Sequence, residues 1–182
     1  MRRLFAALVI FLSLGGQTMA DQNDPRLDEL FARLLGTVNP EEARGIEFVI
    51  WNIWMEADDP LTQRLLDSGT EAMSRRDYDK ALVGFNTIVE RAPDFAEGWN
   101  KRATLYYLMG RYKESITDIE RTVALEPRHF GALSGLGLVQ LALENEPGAL
   151  EAFERALAVN PHMPGPRRHY RELSEKLRGF QT

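Results

Sequence analysis

Apolar residues in this chain recur at three and four positions, and the whole pattern then repeats every 34. The clearest stretch predicts a helix from about Ala96 to Met109, where Trp99, Ala103 and Tyr106 form one apolar stripe. Gly110 stands where that helix must stop, since glycine takes the left-handed conformation common at C-termini. Tyr112 opens a second helix that turns Ser115, Ile119 and Thr122 inward. Pro127 ends it by pushing its predecessor out of the helical region. Two helices and a turn make one unit.

The unit recurs in phase. Pro93, Pro127 and Pro161 stand 34 residues apart, and Trp51, Phe85, Ile119 and Phe153 keep the same step. So do Phe31, Leu65, Trp99 and Leu133, and a column of Leu35, Gly69, Ala103 and Gly137 that becomes small after its first member. Small residues there predict a close approach of the two helices of a unit. A unit this short buries its apolar face only against its neighbours, so the period itself predicts a stacked array.

The series Trp99–Ala103–Tyr106–Gly110–Tyr112–Ser115–Ile119–Pro127 closely resembles the tetratricopeptide repeat (TPR). Leu65, Gly69, Ala72, Tyr78, Ala81, Phe85 and Pro93 repeat it before, and Leu133, Gly137, Ala149, Phe153, Ala156 and Pro161 after. The fold implied is all-α: a right-handed α-solenoid of stacked helix-turn-helix units with N- and C-terminal capping helices. Three units are expected over residues 61–161 (about 62–95, 96–129 and 130–163). Some positions depart from the pattern. Glu144 and Glu146 stand where glycine and tyrosine are expected, and Arg102, Ser115 and Thr122 fill positions usually small or apolar.

Residues 21–60 are expected to form an N-terminal helical cap or degenerate repeat. Asn39-Pro40-Glu41-Glu42 is a helix start: a capping side chain, proline at the first position, and acids on the positive end of the dipole. The helix that follows, to about Ala57, carries Ile46, Phe48, Val49, Ile50, Trp51, Ile53, Trp54 and Met55 nearly all round. It is either sandwiched between the Phe31 helix and the first repeat, or it offers Trp51 and Trp54 as a secondary interface. Residues 162–182 form the C-terminal cap, with Tyr170, Leu173 and Leu177 on one side. Arg167, Arg168, Arg171, Lys176 and Arg178 make it basic, which suits a solvated face or a contact with anionic lipid or an acidic partner.

Residues 1–20 read as a signal peptide. Arg2 and Arg3 precede an apolar run from Leu4 to Leu14, and Thr18-Met19-Ala20 places small residues where a signal peptidase reads, so cleavage is expected between Ala20 and Asp21. As a helix the run spans about 16 Å, half of a ~30 Å hydrocarbon core, so no stable membrane span is expected after cleavage. The 182-residue chain has no cysteine, which removes disulfides, thiol catalysis and thiolate metal sites. Its net charge of −5 becomes more negative once Arg2 and Arg3 are lost, so nucleic acid is not an expected partner.

No catalytic constellation emerges, and neither an enzyme, a cofactor nor a metal site is expected. His129 and His162 fall in inter-repeat loops and His169 on the final helix. Gly131, Gly135 and Gly137 lie within a helix, where close packing explains them better than phosphate binding. What remains is surface recognition. In TPR arrays the first helix of each unit lines the concave groove, which here implies Leu66, Thr70 and Met73, then Asn100, Thr104 and Tyr107, then Ser134, Leu138 and Leu141. That stripe suits a protein or peptide partner, either an extended segment or an amphipathic helix. Burial of Leu138 and Leu141 under the C-terminal helix is the competing reading. The Lys/Asn/Arg set that clamps a C-terminal carboxylate in chaperone-type TPRs is not reproduced, with Asn100 and Lys101 its only echoes. The function expected is a periplasmic scaffold or adaptor for another cell-envelope protein. The alternative is homo-oligomerisation through the Trp-rich helix.

Overall fold

The computed structural model describes residues 21–179, so the signal-peptide reading of residues 1–20 lies outside the described residues. Nine α-helices and no strand occur among them: α1 (Arg26–Gly36), α2 (Pro40–Trp54), α3 (Pro60–Ser74), α4 (Tyr78–Arg91), α5 (Ala96–Leu108), α6 (Tyr112–Leu125), α7 (Phe130–Ala142), α8 (Glu146–Val159) and α9 (Pro164–Gly179). Helices α3 to α8 pair as three antiparallel hairpins, each stacked on the next, and α9 closes the end against α8. This is the all-α solenoid expected from the 34-residue period.

Local sequence explains where the helices begin and end. The Asn39 side chain accepts from the backbone N–H groups of Glu41 and Glu42, with Pro40 in the first turn. Asp59 caps α3 in the same way, accepting from both Thr62 N–H and Thr62 Oγ1 at 2.9 Å. The first helices of the three repeat hairpins, α3, α5 and α7, end in one motif. Arg76, Gly110 and Glu144, 34 residues apart, take φ of 64°, 71° and 59°, and the following N–H reaches back five residues to Ala72, Tyr106 and Gln140. Only the middle unit places glycine at this left-handed position.

The small column meets aromatic rings. A Cβ on Gly69 would stand 2.7 Å from the Phe85 ring, and one on Gly137 would stand 2.4 Å from the Phe153 ring. Each ring therefore occupies the space that the missing side chain leaves. The irregular polar residues of the middle unit also find partners. Ser115 Oγ donates to Ala103 O at 2.8 Å, and Thr122 Oγ1 to Asp118 O at 2.9 Å. Arg102 bridges three helices, with a two-pronged contact to Asp118 (2.7 and 2.8 Å) and a third bond to Asn86 Oδ1 at 3.0 Å. Its guanidinium also sits over the Trp99 ring. Buried polar atoms cost little once they are paired in this way.

The N-terminal hairpin corrects the expectation of a helix stacked between the Phe31 helix and the first repeat. Helices α1 and α2 bury Leu27, Phe31, Leu34, Ile46, Ile50, Ile53 and Trp54 together with Phe130, backed by Val159 and Met163. These last three belong to inter-repeat junctions, not to α3 or α4. All three junctions are tied to the hairpin segment. Gln22 donates to Asp94 O and accepts from Ala96 N–H at the first. At the second, Arg128 pairs with Asp28 at 2.7 Å and lies over the Phe31 ring. At the third, His162 Nε2 lies 3.0 Å from Leu34 O, and Asn160 donates to Glu47. Asp28 and Leu34 stand six residues apart on α1, roughly 9 Å of helical rise, which matches the about 8–10 Å between packed helices, and Gln22 precedes that helix. The segment is a brace laid across the edge of the array. The physical reason is the broad apolar face of α2, Ile46, Ile50, Ile53 and Trp54, which needs more covering surface than a single neighbouring helix offers.

Candidate functional site

Five of the nine expected groove residues, Asn100, Thr104, Tyr107, Ser134 and Leu138, come together around one cavity of about 290 Å³ between α5 and α7. Helix α6 supplies the floor through Ser115 and Ile119, which were assigned to the core from sequence alone. Gly131 and Gly135 keep the α7 wall low, and Leu108 forms an apolar rim at 46% exposure.

The other four lie elsewhere. Leu66 is fully buried in the first unit's core, against which Met55 and Ala57 from the end of the brace are packed, and so it presents no surface to a partner. Its assignment to the groove is corrected: repeat phase equates it with Asn100 and Ser134, but its side chain lies wholly inside the core of the first unit. Thr70 and Met73 are half-buried on α3, apart from the cavity, and Thr70 Oγ1 has no hydrogen-bond partner among the described residues. Leu141 is half-buried against Ala149, Phe153 and Leu173, and Leu138 touches the same cluster. Leu173 belongs to α9, so the competing reading for these two leucines describes their packing.

Beneath the cavity lies a buried polar cluster that repeat phase did not reveal. His129 caps α7 by accepting Ala132 N–H at Nδ1 (3.1 Å), which leaves its proton on Nε2. That nitrogen donates to Glu97 Oε2 at 3.0 Å, and both side chains are fully buried. Asn100 Nδ2 donates to the same oxygen at 2.9 Å, while Lys101 Nζ stands 3.2 Å from Oε1. Burial pushes the Glu97 carboxyl up, but His129, the Lys101 charge and Asn100 more than offset this, holding it below the usual carboxylate range. Both echoes of the carboxylate clamp, Asn100 and Lys101, are thus engaged by an internal carboxylate. In the sequence His129 looked like an ordinary loop residue, and the only clue was a glutamate in the first turn of α5.

Trp51 and Trp54 are also placed by His129. Trp54 stacks on the imidazole, Trp51 meets it edge-on with centroids 5.5 Å apart, and both rings pack on Phe130. Trp54 is 1% exposed. The expectation of a secondary interface is corrected for Trp54, whose faces are consumed by α7 and its cap, whereas Trp51 packs on the same residues and stays partly exposed. The outward side of α2 is Phe48 and Val49. Helix α9 keeps Arg167, Arg168, Arg171, Lys176 and Arg178 in solvent, with Lys176 paired to Glu146.

Comparison with known proteins agrees with this geometry. The profile of the tetratricopeptide repeat family matches residues 66–120 and 100–164. A TPR repeat-containing protein of Rhizobium etli is 35% identical over 86% of this chain and 77% of its own length. The Sgt2 TPR domain from Aspergillus fumigatus superposes with a TM-score of 0.63 at 25% identity, covering 68% of this chain and 83% of that one. The first TPR of Spaghetti (RPAP3), bound to the HSP90 peptide SRMEEVD, shares the fold with a TM-score of 0.62 at 22% identity, covering 66% and 95%. No helix among the described residues is long and apolar enough to cross a membrane.

Proposed function

Because the chain belongs to the tetratricopeptide repeat family, we propose that it is an exported adaptor that holds a segment of another cell-envelope protein in its concave groove. The observation that carries this reading is the cavity between α5 and α7, formed by residues whose repeat phase alone aims them at one surface. An apolar hollow of about 290 Å³ edged by hydroxyl and amide groups suits a side chain of a docked peptide. Peptide binding by a protein of like fold supports the reading. Export is supported by the basic start, short apolar run and small residues of positions 1–20.

A photoreactive residue at Thr104, which is exposed at the cavity, tests the binding. Crosslinking in cells should yield a discrete adduct that Tyr107→Ala abolishes while the helical CD spectrum is kept. Adducts unchanged by Tyr107→Ala would overturn it. Export is tested separately: fractionation should place the protein outside the cytoplasm with Asp21 as its first residue. A full-length protein confined to the cytoplasm rejects the envelope assignment.

A further inference from the structure

Gly131, Gly135 and Gly137 stand close together on α7, and close packing accounts for only two of them. A Cβ on Gly137 would enter the Phe153 ring, and one on Gly131 would stand 2.5 Å from the Trp51 ring. A Cβ on Gly135 would meet only Ile119 Cδ1, at 3.9 Å, which is ordinary contact. Nor does its backbone require glycine, since among the described residues Gly110 is the glycine that takes a positive φ. Glycine in the middle of a helix is unfavourable relative to alanine, so position 135 needs another reason. In repeat phase, Gly131 and Gly135 replace the Glu97 and Lys101 that α5 carries.

Gly135 lines the groove cavity, and Ile119, which its Cβ would approach, is part of the floor. A longer side chain at 135 would therefore take up the hollow. The described residues of the lining include no acidic or basic side chain. The Ser115 and Thr104 hydroxyls donate to Ala103 O and Asn100 O, at 2.8 and 2.9 Å. A charged group entering there would shed its water without meeting an opposite charge. Apolar surface comes from Ala103, Leu108, Ile119, Leu138 and Val139. At about 290 Å³ the hollow exceeds the ~150 Å³ in which a benzene ring fits inside a protein.

We infer that the cavity takes one large uncharged apolar side chain of the partner segment, and that Gly135 sets the room for it. The helix gives up stability at this position, and the cavity gains the volume that any other residue would fill. This rests on the groove reading above and gives both the chemistry of the occupant and the residue that fixes its size.

The test selects a phage-displayed random dodecapeptide library on the purified protein and keeps the peptides that Tyr107→Ala releases. These should share a phenylalanine, tryptophan, leucine or methionine. Exchange of that residue for alanine, lysine or glutamate should each weaken binding at least tenfold by fluorescence anisotropy. Gly135→Ala should raise the melting temperature by about 2–4 °C while weakening the same peptides several-fold. Gly135→Leu should abolish binding with the fold kept by circular dichroism. Gly45→Ala, the same exchange at an open helical site away from the cavity, should leave binding unchanged. Peptides that tolerate lysine or glutamate at the shared position, or that bind Gly135→Leu as before, overturn the inference and leave the groove reading standing. So does a lower melting temperature for Gly135→Ala, which would make the glycine a packing requirement. A selection in which no peptide depends on Tyr107 overturns both.

Discussion

The imidazole of His129 lies nearly parallel to the Trp54 indole, with ring centroids 4.1 Å apart and planes 11° from parallel. That stack joins the brace to the cap of α7 and, through Glu97, to the start of α5. Trp54→Ala removes the largest side chain of the joint and should cost about 3–5 kcal/mol. Thermal melts would record this. Limited proteolysis should then cut near residues 37–39 and 55–59 while α3 to α8 stay protected. An unchanged melting temperature would show that the joint contributes nothing.

Glu97 ties stability to acidity. Its carboxyl titrates lower in the folded chain than the ordinary value of 4.5, so its contribution is fully present above that pH. It is lost as pH falls through the folded value, where the neutral acid no longer attracts the Lys101 charge and its hydrogen bonds from His129 and Asn100 lose their charge assistance. Urea unfolding of the protein and of Glu97→Gln, from pH 7 to pH 3, should show the gap in stability closing below about pH 4.5. A gap independent of pH refutes the ionised pairing.

Two glycines should respond in opposite ways to the same substitution. Gly137→Ala drives a methyl group into the Phe153 ring and should destabilise by about 1–3 kcal/mol. Gly45 lies exposed in α2 with nothing within 4 Å of an added Cβ. Gly45→Ala should stabilise by up to about 1 kcal/mol through helix propensity. Chemical denaturation midpoints decide the pair.

Left-handed residues give a second contrast. Glu144 holds φ of 59° with a side chain that disfavours it, whereas its counterpart Gly110 has none. Glu144→Gly should therefore raise stability by about 1 kcal/mol, and Gly110→Ala should lower it by a similar amount. Differential scanning calorimetry can resolve both shifts.

Arg102 and Asp118 are best tested as a cycle. Asp118→Leu leaves a largely buried guanidinium unpaired and should cost about 3 kcal/mol. Adding Arg102→Leu should recover most of that loss, since an apolar pair can replace a buried ion pair at little cost. Strictly additive effects in urea denaturation would rule out the coupling.

The unevenness of what the sequence revealed has a physical origin. Repeat phase aligned Asn100 with Ser134 and Thr104 with Leu138, because a 34-residue step returns a side chain to the same face of an equivalent helix. The same phase misplaced Leu66, which is buried in a core to which Met55 and Ala57, outside the three repeats, also contribute. Trp51 and Trp54 were legible as apolar, but periodicity cannot say which surface meets them. His129 was hidden for a related reason: its role is set by Glu97, 32 residues earlier, and by α2. Arg102 departed from the repeat pattern in full view, and only the structure supplied Asp118 and Asn86 as its reason.

The brace bears on how the chain reaches its fold. A simple repeat array makes only neighbour contacts, so it can form and fray unit by unit. Here Asp28 meets Arg128 across 100 residues, Glu47 meets Asn160 across 113, and Leu34 meets His162 across 128. Contacts so distant in sequence close only after the units have assembled. Such contacts slow the search and, by tying the first helices to the last junctions, oppose unit-by-unit fraying of the array.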